Sequence, residues 1–264
     1  MPSLILIRGG GDLASGVVLR LHRAGLKVLI SELEQPLAVR RTVSFAEAVY
    51  ASEVEVEGAK ARLVKREQVQ AALDAGEIPV LVDPNATVLT KLPISIVVDA
   101  RLTKLPPDPL PVDIPLHIGL GPGFHAGRNC HAVIETRRSH TLGRVYWDGP
   151  TQSDSGQPEG DQRRVLRAPV DGIFTSRVQI GEHVETGQII ADVAGEAIKA
   201  PFPGVIRGLL HSGLRAKAGL KIGDVDPRGD HDLCRLVSDK ALAIGGGVLE
   251  AMLTRSKIRS ALWK

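Results

Sequence analysis

The chain opens on an apolar run, Leu4 to Arg8, that breaks into three glycines, Gly9-Gly10-Gly11. From Asp12 to Ala24 the apolar positions change period. Leu13, Val17, Leu21 and Ala24 recur at helical spacing, and Gly25 stops the helix. Lys27 to Glu32 is a second apolar run, so the opening reads as strand, glycine turn, helix, parallel strand. Further along, Phe45 to Tyr50 and Arg66 to Ala75 read as helices, and Val54 to Val64 alternates around Gly58 as a hairpin. Ile78 to Val82 and Ile94 to Val98 are apolar runs closed by Asp83 and Asp99. This half therefore predicts a doubly wound, Rossmann-like parallel sheet in an α/β protein.

Beyond it the pattern changes. Proline is dense from Leu105 to Pro115, as in an extended connection, and strands are expected at His131 to Thr136 and Leu142 to Trp147. Gly149 to Arg164 is polar and predicts a mobile loop. Ala168 to Val193 and Ala200 to Val225 then align without gaps as an internal repeat, with glycines matched at 172/204, 181/213 and 187/219. Neither copy buries its apolar face alone, so the pair predicts a small all-β unit. A helix follows Gly245-Gly246-Gly247. The expected domains are 1–104, a Rossmann-like nucleotide- or cofactor-binding domain; 105–163, a connecting β segment; 164–233, the repeat; and 234–264, a helical segment.

Composition narrows the function. The net charge is only +3, there is no long basic run, and aromatics make up 3% of the chain, which argues against nucleic acid as a partner. No apolar stretch is long enough to span a membrane, and the N-terminus lacks a basic region and a cleavage site. Two cysteines make no disulfide framework and read as reduced thiols, so a soluble, cytoplasmic protein is expected.

Candidate chemistry starts at the glycine turn. Gly9-Gly10-Gly11-Asp12-Leu13-Ala14 fits GxGxxA, in which glycines let the backbone approach a phosphate and the alanine lets the helix pack closely. Glu32 ends the second strand, where an acid can bind ribose hydroxyls. Arg8, directly before the turn, and Arg41 are candidate anion contacts, and Asp83 and Asp99 end strands where ligands of open α/β sheets sit. His117, His125, Cys130, His131 and His140 crowd one stretch, but their spacing fits no standard zinc pattern, and no metal site is assigned. Cys130 and His131, beside GLGPGF, are the catalytic candidates. No GxSxG, HExxH or GxxxxGK[ST] motif occurs.

RGGGDLASGVVLRLHRAGLKVLISELEQPLAVRRTVSFAEAVY, GLGPGFHAGRNCHAVIETRRSHTLGRVYW, and KIGDVDPRG with SDKALAIGGGVLEA resemble the YqeB-type accessory proteins of selenium-dependent molybdenum hydroxylase systems. A looser likeness is to XdhC-type proteins, which handle molybdenum cofactor. The resemblance implies a maturation factor for a xanthine dehydrogenase-like hydroxylase. Molybdenum cofactor (molybdopterin), or a nucleotide such as NAD(P), would be its ligand and the hydroxylase apoenzyme its partner, with a homo-oligomer left open. The repeat resembles a biotinyl/lipoyl-type barrel-sandwich hybrid, although Lys199, directly before Ala200-Pro201, departs from the carrier pattern. An NAD(P)-dependent oxidoreductase and a non-enzymatic docking scaffold are the alternatives.

Overall fold

In the computed structural model, which describes residues 4–153 and 161–263, the first apolar run becomes the central strand of a large sheet. The elements in chain order are β1 (Leu4–Arg8), α1 (Asp12–Arg23), β2 (Val28–Glu32), α2 (Ala48–Ala51), β3 (Glu53–Val56) and β4 (Ala59–Leu63). Then come α3 (Val69–Asp74), β5 (Ile78–Val82), β6 (Ile94–Asp99), β7 (Leu116–Leu120), β8 (His125–Ala126), β9 (Ala132–Ile134), β10 (Val145–Tyr146) and β11 (Gly149–Pro150). Nine strands lie in the order β10-β9-β7-β6-β1-β2-β5-β4-β3.

The interior of this sheet is parallel, because β1, β2, β5 and β6 are apolar on both faces and need cover on each side. Leu4, Leu6, Leu29, Leu81 and Val97 share one face and pack with Val69 and Ala72 of α3 and with Val88 and Leu89. Each such buried aliphatic side chain stabilises the fold by about 1.5–3 kcal/mol. The alternate residues Ile5, Ile7 and Ile30 are fully buried on the other face. The edge strands β3 and β10 run antiparallel to their neighbours. The sheet is thus mixed: a parallel interior with antiparallel edges, β3 and β4 forming a hairpin where the sequence predicts one at Val54 to Val64.

The chain divides into two units. The first comprises the described residues of Met1–Pro36, Phe45–Ser155 and Val237–Lys264; the second, those of Leu37–Ser44 and Gly156–Leu236. The expected boundary at 104 falls inside the first unit, since β7 pairs in parallel with β6 and β9 with β7. The loop expected at 149–164 lies partly outside the described residues. Its described ends form β11, paired with β8, and a single 3-10 turn at Gln162–Arg164.

The second unit contains β12 (Val165–Arg167), β13 (Gly172–Ser176), β14 (His183–Val184), β15 (Ile189–Val193), β16 (Glu196–Lys199), β17 (Gly204–Leu209), β18 (Arg215–Ala216) and β19 (Lys221–Asp226). They form two four-stranded antiparallel sheets, β12-β19-β17-β14 and β16-β15-β13-β18. The two copies of the repeat exchange their short strands: β14 pairs with β17, and β18 with β13. Phe174, Ile190, Val193, Val205, Ile206, Ile222 and Val225 are fully buried. The biotinyl/lipoyl-like barrel-sandwich hybrid expected here is corrected. Lys199 is the last residue of a paired strand, in register with Ile189, and is not presented on a turn as a carrier lysine must be. Leu37–Ser44 joins this unit from far upstream: Leu209 N–H donates to Val39 O, and Arg40 donates to the carbonyls of Leu233 and Leu236.

The C-terminal helices α4 (Asp239–Thr254) and α5 (Ser256–Arg259) belong to the first unit, not to a segment of their own. Helix α4 packs on α1 through glycines. A Cβ at Gly16 would stand 2.5 Å from the Ala241 backbone, and one at Gly245 would stand 2.7 Å from Gly16 O. Among the described residues no helix is long and apolar enough to cross a membrane.

Candidate functional site at the carboxyl edge of the sheet

Strand β1 has β6 on one side and β2 on the other, so the strand order reverses there, and ligands of open α/β sheets bind outside the carboxyl ends at such a point. The parallel register places Arg8, Asp99 and Gly119 side by side, with Val97 and His117 two positions further in. Because side chains alternate across a strand, Arg8, Asp99 and His117 share one face.

Asp99 holds two guanidiniums. Arg8 Nη1 donates to it at 3.1 Å, while Arg101 grips it in a fork, Nε to Oδ1 at 2.9 Å and Nη2 to Oδ2 at 2.7 Å. The side chains of Asp99 and Arg8 are 1% and 6% exposed, whereas that of Arg101 is 25% exposed. Burial pushes the Arg8 guanidinium below its ordinary value, against the pull of Asp99. The hydrogen bonds to Asp99 hold Arg101 above it. Arg8 Nε has no partner and its Nη2 reaches Pro84 O at a long 3.5 Å. His117 is also buried, and its Nε2 has no partner. Desolvation, with Arg8, Arg101 and His131 adding to it, brings His117 down to about 4, so its imidazole is neutral at pH 7.

The glycine turn is closed more tightly than its motif suggests. Gly9 N–H donates to Ser31 O at 2.8 Å. Gly10 N–H donates to Glu32 Oε2 at 2.6 Å, and Glu32 Oε1 accepts from Leu33 N–H at 2.7 Å. Gly10 O accepts from Ala46 N–H, and a Cβ on Gly10 would lie 2.8 Å from that nitrogen. Both oxygens of the Glu32 carboxylate are therefore already engaged in closing the turn, a use its motif does not announce, and desolvation raises its pKa. Gly9 and Gly10 likewise have no amide to offer a phosphate. Gly11 keeps open space around it at the N-cap of α1, Asp12 lies in the first turn, and Ala14 is buried as the motif predicts.

The remaining candidates divide. Asp83 spends its oxygens on Thr87 N–H, Thr87 Oγ1 and Val88 N–H, capping the 3-10 turn at Thr87–Thr90. Arg41 belongs to the second unit, donating to Leu209 O at 2.7 Å and touching the His211 ring. Cys130 packs with Phe124, Ala126 and Val133. Desolvation pushes its thiol up to about 11, the opposite of what a nucleophilic relay needs, so that reading is corrected. His131 is exposed, and its Nδ1 accepts from His117 N–H at 2.9 Å, leaving Nε2 to carry the proton of the neutral ring. Among the described residues no three His, Cys, Asp or Glu side chains converge as for a metal ion. Arg101 escaped the sequence reading, although it stands two residues beyond the strand-ending Asp99.

The fold and this edge define an α/β protein with a charged site at its topological switch point. No protein-family model matches the chain. It is 48% identical over 255 residues, 95% of its length, to the uncharacterized protein YqeB of Escherichia coli (strain K12), so the YqeB-type likeness read from the motifs holds over that stretch. The chain spans about half the length of this curated relative, 47% of it. An aspartoacylase family protein from Mesorhizobium loti shares 12% identity at a TM-score of 0.27, covering 85% of this chain and 84% of that one. The ectoine utilization protein EutE (DoeB) from Ruegeria pomeroyi also shares 12% identity at a TM-score of 0.27, with 85% and 86% covered. Likenesses this remote transfer no activity to this chain. The expected maturation function for a molybdenum hydroxylase, with its molybdenum and selenium, is corrected: the relative is an uncharacterized protein whose name carries no such role.

Proposed function

We propose that this chain binds a small organic anion at the carboxyl edge of its nine-stranded sheet, with Arg101 as the ligand's main partner. The observation behind this reading is that Arg101, the more exposed partner of the almost wholly buried Asp99, stands at the carboxyl edge beside a second guanidinium, Arg8. Arg101 is the exposed member of the triad, so it is the one a ligand reaches, while Arg8 and Asp99 fix its orientation from below. The planar guanidinium suits a phosphate or a carboxylate. The open approach at Gly11, at the N-terminus of the 12-residue helix α1, favours the same sign of charge.

Isothermal titration calorimetry with ADP, NAD+, NADPH and citrate tests the proposal. At least one of these should bind saturably, and Arg101→Gln should weaken that binding tenfold or more. Arg101 hydrogen-bonds only to Asp99, so the variant should remain folded. No saturable binding by any of the four at millimolar concentration, or binding that Arg101→Gln leaves unchanged, would refute it.

A further inference from the structure

A second concavity lies in the first unit, at the carboxyl ends of β4 and β5. Its volume is about 640 Å³, within the range of small-molecule sites. Its floor is apolar: Val64, Leu81 and Val88 line it and belong to the core cluster beneath the sheet. Val82 lines it as well and is 44% exposed, unusual for a strand valine next to a core.

The charges around this floor are uneven. Both acids in the lining are already engaged: Asp83 accepts from Thr87 and Val88, and Glu67 from Arg66 at 2.7 Å. Lys65 and Lys91 also line the cavity, and neither has an acidic partner among the described residues. The balance of the lining is three basic side chains against two acidic ones, a surplus of one positive charge, and Lys65 and Lys91 are the basic groups outside the Arg66–Glu67 ion pair. An apolar floor beneath a surplus of one positive charge matches one class of molecule: a monoanion with an apolar, planar or aliphatic body.

We propose that this cavity is a second small-molecule site, for an apolar monoanion whose body lies on Val64, Leu81 and Val82 and whose charge meets Lys65 and Lys91. It uses none of Arg8, Asp99 or Arg101, so it stands or falls apart from the site described above. The probe is 8-anilinonaphthalene-1-sulfonate, an aromatic sulfonate, followed by fluorescence titration and by amide NMR shifts. Saturable one-to-one binding is expected, with the largest shifts at residues 63–68 and 81–91. The double variant Lys65→Glu/Lys91→Glu should weaken binding at least tenfold, and Arg101→Gln should leave it unchanged. Both lysines are exposed, so the double variant keeps its core. N-phenyl-1-naphthylamine, the uncharged analogue, should bind the unaltered protein at least tenfold more weakly and gives an answer even if the double variant misfolds. Shifts elsewhere, no saturable binding, equal affinity for the neutral analogue, or loss of binding in Arg101→Gln would each overturn the proposal.

Discussion

Two aspartates in this chain are buried to the same degree and gripped by arginines, yet their settings differ. Asp224, on β19 in the second unit, is fully buried and meets Arg164, Arg207 and Lys221 at 3.1, 2.9 and 3.1 Å. Asp99, on β6, meets Arg8 and Arg101. Around Asp224 a second carboxylate, Asp226, shares Arg207 and takes Arg228, so cations and acids are interleaved within a sheet. Around Asp99 the two guanidiniums come from different strands and loops, Asp108 and Asp83 also act on Arg8, and Arg8 Nε and His117 Nε2 are buried without a partner, as Arg207 Nε is beside Asp224. The same pair chemistry thus serves two ends. One cluster sits within an antiparallel sheet, and the other lies at the carboxyl ends of parallel strands, where ligands of open α/β sheets approach.

The sharpest break of this comparison is Asp224→Asn. Removing the carboxylate leaves three cations around one buried position. Uncompensated charge in a fully buried pair costs about 3–5 kcal/mol. The cations here are partly exposed, so solvent relieves some of that, and a loss of about 2–4 kcal/mol in urea unfolding is expected. Asp192, the matching residue of the first repeat copy, pairs with Arg177, whose side chain is 60% exposed. Asp192→Asn should therefore change stability by less than about 0.5 kcal/mol. If Asp224→Asn disturbed anion binding as Arg101→Gln is expected to, the division between a structural and a ligand-facing cluster would fail.

The two clusters were unequally legible in the sequence. Arg8 and Asp99 each stand out locally, one before a glycine turn and one at a strand end. Their pairing does not, because 91 residues separate them and only the β1–β6 register joins them. The strand, turn, helix and strand of the opening follow from periodicity alone. The additions of β7 and β9 do not, since the proline-rich connection between β6 and β7 carries no crossover helix to announce a parallel strand. The motif locates Glu32 but not its backbone partners Gly10 and Leu33, because a motif gives spacing and not which hydrogen bonds are already made. The thiol of Cys130 failed as a nucleophile for the same kind of reason: its neighbours in space, Phe124 and Val133, set its burial. The repeat was visible through its glycines, but the exchange of β14 and β18 between copies is a three-dimensional fact with no sequence signal.

Titration separates the same two regions with a smaller effect. His117 has an ordinary value of 6.5 and is brought down to about 4 in the fold. The unfolded chain therefore takes up a proton before the folded one does. The contribution is complete above pH 6.5 and is lost as pH falls toward 4, amounting to at most about 3 kcal/mol. Unfolding free energies measured from pH 7 to 4 should show that loss, and His117→Gln should abolish it. His22, also depressed by burial, is present in both proteins, so it cancels in their difference. Asp224 lies below its ordinary 3.8, so the second unit keeps its support until the pH drops beneath that value. Equal acid sensitivity of His117→Gln and the unaltered protein between pH 6.5 and 4 would erase this distinction.

Glu32 should act in the opposite direction, and more weakly. Its pKa is raised by desolvation, partly offset by the two backbone N–H groups it accepts from. The fold thus prefers the protonated acid, so this contribution is greatest below the ordinary value of 4.5 and declines as pH rises through the raised one. Glu32→Gln removes the charge but turns an amide N–H2 toward either Gly10 or Leu33, both of which are donors. One backbone N–H then loses its acceptor, at about 1 kcal/mol net once relief of the buried charge is counted. The variant should be less stable than the unaltered protein by about that amount at pH 7, and the gap should widen as pH falls through the raised value to 4.5 and hold steady below it, since only the natural side chain gains by protonation. Measured beside His117→Gln, the pair yields two pH profiles of opposite slope from residues flanking the same sheet edge. A gap for Glu32→Gln that narrowed on acidification would mean that the Glu32 carboxylate is stabilised as an anion. The glycine turn would then hold a charge firmly enough to have been built for one.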